Sequence, residues 1–230
     1  MYKNLITVAF AGVLLSTTAM AQDVQLKPYV EGQISRVMID DVDANTSIQG
    51  GGFNAAIALV GEYEDATAFG AEVGLAGIGG TGFRVGLGYT TFDAELEAVS
   101  FTANATLAIN GVVLAGAASG RVTGDELRNA GADIGEEVRA YSINSYYDLD
   151  LGSSFKPYLG VGVGKADIEN VKDNEIMLSG YAGVNYLISN GLYAGLRASI
   201  HNIEGFEDEA GIIYDDVRVY AVGAVLGYSF

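Results

Sequence analysis

The stretch from Val217 to Phe230 constrains this chain more than any other. Taken two residues at a time, one face carries Tyr220, Val222, Ala224, Leu226, Tyr228 and Phe230. The opposite face carries Val219, Ala221, Gly223, Val225, Gly227 and Ser229. Successive side chains of a β-strand point to opposite faces, so this alternation predicts a strand. One of its faces is continuously apolar and ends in aromatics, while the other is made of small residues. Such a strand fits between hydrocarbon and a crowded, closed interior.

Four further segments alternate in the same way. In 139–149, Tyr141, Ile143, Tyr147 and Leu149 oppose Ser142, Asn144, Tyr146 and Asp148. In 156–168, Leu159, Val161 and Val163 oppose Tyr158, Gly160, Gly162 and Gly164. In 176–187, Leu178, Ala182, Val184 and Tyr186 oppose Ser179, Tyr181, Gly183 and Asn185; in 192–203, Leu196, Ala198 and Ile200 oppose Tyr193, Arg197, Ser199 and His201. Each is long enough for a tilted strand to cross a bilayer, which takes about 9–11 residues. Tight turns at 152–154 and 189–191 alternate with longer acidic connections at 169–175 and 204–216. An open sheet edge in hydrocarbon would strand unpaired backbone groups, so such a sheet must close. The expected fold is all-β: a closed antiparallel up-and-down transmembrane β-barrel.

The N-terminal half offers 29–37, 53–63, 69–78, 83–92 and 99–109. Counting all five gives ten strands, and three gives eight. Residues 98–120 carry no charge but alternate with Ser100, Thr102, Asn104 and Thr106, which argues against a membrane helix. Within that stretch Asn110-Gly111, flanked by apolar runs, marks a two-residue hairpin. A hairpin over 95–121 projecting beyond the membrane favours eight strands, with ten as the alternative count.

Residues 1–21 combine Lys3, an apolar run from Leu5 to Leu15, and Ala19-Met20-Ala21, the pattern of a cleaved signal peptide. The expected mature chain is 22–230, a single domain. Gln22 would follow the cleavage, so no lipid anchor on an N-terminal cysteine is expected. With 32 Gly, 2 Pro, 14 Tyr and no Cys, disulfide scaffolds and thiolate sites are excluded. The net charge is −17, and only Lys3 leaves with the leader, so the mature chain is more acidic still. That argues against nucleic acid as a partner.

Ser142 to Gly164 resembles the central hairpin of opacity-type, outer-membrane-protein-A-like small barrels. Tyr228 and the terminal Phe230 resemble the C-terminal signature that the barrel-assembly machinery recognises. The resemblance covers 139–230 well and the N-terminal half loosely. It implies a compact barrel in the bacterial outer membrane, in contact with lipid and lipopolysaccharide, in a family linked to envelope integrity, adhesion and host contact. It implies no single chemistry; neither a cofactor nor an appended peptidoglycan-binding domain is expected.

Small barrels fill their interiors with side chains. Glu31, Gln33, Glu72, Arg84, Asn144, Asp148, Tyr181, Asn185 and Arg197 fall on inward faces. Glu72 and Arg84 are equally spaced about Ile78, so a turn centred there pairs them as an interior ion pair, a structural plug or alternatively an ion gate. Ser199 and His201 share a face near Glu204, the weak outline of a hydrolase triad; a rim histidine is the plainer expectation. Asp40, Asp41 and Asp43 in the first loop, and Glu204, Glu207, Asp208, Glu209, Asp215 and Asp216 in the last, are candidate ligands for a hard cation. Without the spacing of a known cation loop, a solvated acidic surface is expected. The expected role is structural or surface-interacting and non-enzymatic, with a host or cell-surface ligand as partner. The alternatives are a narrow channel for ions or small solutes, and an outer-membrane hydrolase.

Overall fold

The computed structural model describes residues 26–109, 112–171, 173–208 and 210–230. The expected signal peptide, the Asn110-Gly111 turn and Glu209 lie outside the described residues.

Eight strands hydrogen-bond in a ring. They are β1 (Lys27–Ile39), β4 (Ala66–Ile78), β5 (Phe83–Ile109), β7 (Gly135–Asp148), β8 (Phe155–Ile168), β9 (Glu175–Leu187), β10 (Leu192–Ile203) and β12 (Val217–Ser229). Every neighbouring pair is antiparallel, and β12 closes on β1 with Tyr29 opposite Ser229. The outer wall is apolar: Val30, Phe69, Leu87, Leu159, Leu196 and Leu226 are all exposed. Such a band suits hydrocarbon.

The interior is built from tyrosines and glycines in register. A Cβ on Gly160 would come within 2.3 Å of the Tyr146 ring, and one on Gly183 within 2.4 Å of Tyr158. A Cβ on Gly227 would meet Tyr193 at 2.2 Å. The glycine faces legible in the sequence are therefore slots for tyrosines from the neighbouring strand. At the long-loop end the lumen turns apolar, where Val37, Phe92, Val138, Ile168, Ile203 and Val217 pack as one buried cluster.

Two candidate strands are not barrel staves. β5 runs on past the barrel, and its outer half pairs with β3 (Phe53–Tyr63) on one side and β6 (Val112–Thr123) on the other. β2 (Val42–Gly50) flanks β3, and the short β11 (Ile213–Tyr214) pairs with β2 at Ala44 and Asn45. The expected hairpin therefore belongs to a larger projecting sheet. β2 corrects the reading of Asp43 as a loop residue, and β11 lies within the expected loop 204–216. A short helix, α1 (Gly124–Asn129), follows β6, with Thr123 and Glu126 forming a reciprocal cap.

The projecting sheet is two-faced. Its rows Thr46–Ile57–Ala103–Ala118, Ile48–Ala55–Ala105–Gly116 and Gly50–Phe53–Leu107–Leu114 make one largely apolar face. Rows Asn45–Ala58–Thr102–Ser119 and Gln49–Asn54–Thr106–Ala115 make a more polar one. Val42, on the apolar side, joins the buried cluster at the barrel mouth, so the apolar face continues the inner wall. A register shift at Glu62/Tyr63, opposite Leu96 and Ala98, accompanies the change of face along β5. An extra residue in one strand inverts the alternation beyond it.

Candidate functional site: the barrel lumen

The lumen holds two buried acid centres directly opposite each other, Glu31 on β1 and Glu72 on β4. Like charges at facing positions destabilise a sheet unless each is compensated. Glu31 accepts from Arg197 Nη2 at 2.5 Å and from the Tyr193 hydroxyl at 3.1 Å. Arg197 also donates through Nε to Tyr158 (2.9 Å) and through Nη1 to Gln33 (2.9 Å). Glu72 is held by neutral donors: Tyr29 (2.5 Å), Asn144 Nδ2 (2.7 Å) and Tyr146 (2.7 Å). Tyr181 donates to Asn144 Oδ1 at 3.0 Å, orienting the amide that serves Glu72.

The expected Glu72–Arg84 pair does not form. The turn lies at 79–82, because Ile78 pairs with Phe83, and not at Ile78 itself. Register therefore places Glu72 against Gly88 and Arg84 against Ala76, four residues apart along the strand. At about 3.3 Å per residue the two are roughly 13 Å out of step. Arg84 instead approaches Asp148 on β7, with Nε 2.8 Å from Oδ2. No N–H of Arg84 is aligned for a hydrogen bond, although the distance is that of an ion pair. Its guanidinium lies over the rings of Tyr146, Tyr158 and Tyr29, at 4.8, 5.1 and 5.4 Å from the centroids. Aromatic faces attract a cation electrostatically.

These groups crowd the middle of the barrel. At the short-turn end a vestibule of about 790 Å³ reaches Arg84, Asp148 and Asn185. Beyond it, the pocket bordered by Glu31, Glu72, Asn144 and Arg197 has only about 20 Å³. The pocket in the apolar cluster has about 40 Å³.

His201 stands above the acid centres with both ring nitrogens engaged by serines. Nε2 lies 2.9 Å from Ser199 Oγ and Nδ1 lies 2.8 Å from Ser179 Oγ. A nucleophilic triad needs a carboxylate at the second nitrogen, and Ser179 occupies that position. Asp40, Asp41 and Asp43 are exposed, and among the described residues no group of three or more acidic or histidine side chains is arranged to hold a metal. Tyr228 and Phe230 project outward beside each other, ring centroids 5.0 Å apart.

The roles of Tyr29, Tyr146, Tyr158 and Tyr193 as partners of the buried charges were missed in the sequence. Their inward spacing was visible, but their partners depend on the stagger between strands.

The architecture resembles solved outer-membrane barrels. Neisserial surface protein A (NspA) is 14% identical, with 88% of this chain and 97% of that one covered and a TM-score of 0.47. OprG from Pseudomonas aeruginosa is 15% identical, with 89% and 95% covered and a TM-score of 0.46. No curated protein matches the chain. The outer membrane protein beta-barrel domain matches residues 7–230, nearly the whole chain, and the protein is a member of that family, a β-barrel of the bacterial outer membrane.

Proposed function

We propose that the protein is a non-enzymatic barrel whose work is done outside the membrane by the sheet it carries. In this reading the barrel is an anchor and the sheet of β2, β3, outer β5 and β6 is the interaction surface. The carrying observation is that β5 is unbroken from Phe83 to Ile109, so one strand is both a barrel stave and the spine of the sheet. Short turns of such barrels face the periplasm and long loops face outward, which puts the sheet at the cell surface. The narrow lumen supports an anchor over a conduit. The serines at both ring nitrogens of His201 leave no place there for a triad carboxylate, which favours a non-catalytic reading of this histidine. The opacity-type assignment, supported by the β7–β8 hairpin sequence, belongs to the same reading, as does a host or cell-surface ligand.

Two measurements test it. Bacteria displaying the protein should attach to epithelial monolayers, and replacing 99–122 by a short turn should abolish attachment without unfolding the barrel. The purified protein in planar bilayers should be electrically silent. Unchanged attachment by the shortened variant would overturn the reading, and steady single-channel conductance would install the channel in its place.

A further inference from the structure

The outer edge of the projecting sheet is open. β6 pairs with β5 alone among the described strands, and residues 112–121 are exposed along their whole length. An unpaired edge presents a row of free N–H and C=O groups and acts as a template for another strand. Exposed edges are usually protected by proline, lysine, a bulge or a covering loop. Residues 112–120 contain neither proline nor any charged residue, and the β5–β6 register runs without a shift from Ile109–Val112 to Ala98–Thr123. Arg121, at the base, is already paired with Glu62 on β3. In a chain of net charge −17, an unprotected and uncharged edge of this length stands out.

The edge dictates its partner. A strand added there must itself be extended, have a free edge, and carry no charge, because nothing on β6 would answer one. β6 of a second copy meets each requirement.

We infer that β6 pairs antiparallel with β6 of a second copy of this chain, about a two-fold axis near Gly116. That register sets Leu114 against Ala118 and Ala115 against Ala117, and no like charges face each other. Such a contact is isologous and closes at two. Antiparallel pairing reverses the direction of the second sheet. Because β6 lies alongside the strand that rises from the barrel, the second barrel then lies in a facing membrane. This deepens the surface-interaction reading, on which it rests, by naming the partner as the same protein on a neighbouring cell.

Two vesicle populations, one with donor and one with acceptor lipid dye, test the pairing when both carry the purified protein. They should cluster, and the double variant Ala115→Lys, Ala117→Lys should lower clustering more than tenfold. The variant's barrel should keep its heat-modifiable gel mobility, showing that folding is intact. The chain has no cysteine, so single cysteines from Val113 to Ser119 can map the contact. Cross-linking between vesicles should concentrate at Ala115, Gly116 and Ala117. Three results would overturn the inference: no clustering by folded wild type, clustering with protein-free vesicles, or cross-linking that is uniform along β6. Host-cell attachment without vesicle clustering would sink self-pairing and leave the surface-interaction reading standing. Clustering by a protein that also conducts ions would leave self-pairing standing and overturn the reading of the barrel as a mere anchor.

Discussion

Glu31 and Arg197 are both nearly inaccessible, and each is the other's charged partner. Removing one partner of a buried pair leaves an uncompensated charge, typically at a cost of about 3–5 kcal/mol. Arg197→Met should therefore destabilise the barrel by that order, and Glu31→Leu with Arg197→Met by much less. A double-mutant cycle read by urea unfolding in detergent micelles checks this. The same cycle on Glu72 and Arg84 should show a weaker coupling, because the two do not pair and share only Tyr29 and Tyr146, whose hydroxyls serve Glu72 and whose rings face Arg84. Glycine at 183 is tested separately. A Cβ there would lie 2.4 Å from Tyr158 and 2.5 Å from the Leu196 carbonyl oxygen, so Gly183→Ala should cost about 1–3 kcal/mol through overpacking. A midpoint unchanged from wild type would show that the tyrosine slot has slack.

At the scale of elements, the last strand and the projecting sheet behave differently. β12 must add to β1 and β10 to close the ring, and Tyr228, with Phe230 just past the strand's end, faces outward at the short-turn end. Phe230→Asp should lower the amount of assembled barrel in the outer membrane, measured by heat-modifiable mobility in membrane fractions, more than it lowers the unfolding midpoint of refolded protein. Normal assembly of this variant would show that the terminal ring is dispensable. The projecting sheet instead carries an acid-sensitive clasp at its base. Hydrogen bonding to Arg121 holds Glu62 below the ordinary carboxylate range. A carboxylate lowered by folding stabilises the fold at neutral pH, and that contribution fades as pH falls through its folded value. Hydrogen-exchange protection factors across 98–123, corrected for the intrinsic pH dependence of exchange, should therefore fall below about pH 4, the ordinary glutamate range, while barrel amides keep theirs. Because the pair is exposed, the effect should be modest and weaken in salt. The strands of the second half were legible because each alternates strictly between lipid and a filled interior. The sheet was only partly legible: β3 and outer β5 alternate like barrel staves, while Val42–Gly50 is too polar to announce itself. Interior partners were hidden for a different reason, since a turn misplaced by two residues moves every cross-strand neighbour.

For the whole molecule, the division is between a barrel closed on itself and a sheet whose β6 edge is open. Outside the membrane an open edge is solvated, so the sheet survives there without closure. The consequence of the unbroken β5 is mechanical. A pull along the projecting sheet passes through one continuous backbone into the barrel wall, with no flexible linker to stretch first. Within the barrel, that load falls on the ladders to β4 and β7 along their length, so many hydrogen bonds are sheared together and not peeled one by one. A tether of this kind transmits tension between two cell surfaces stiffly, and under load the first structure to yield should be the sheet's edge and not its root.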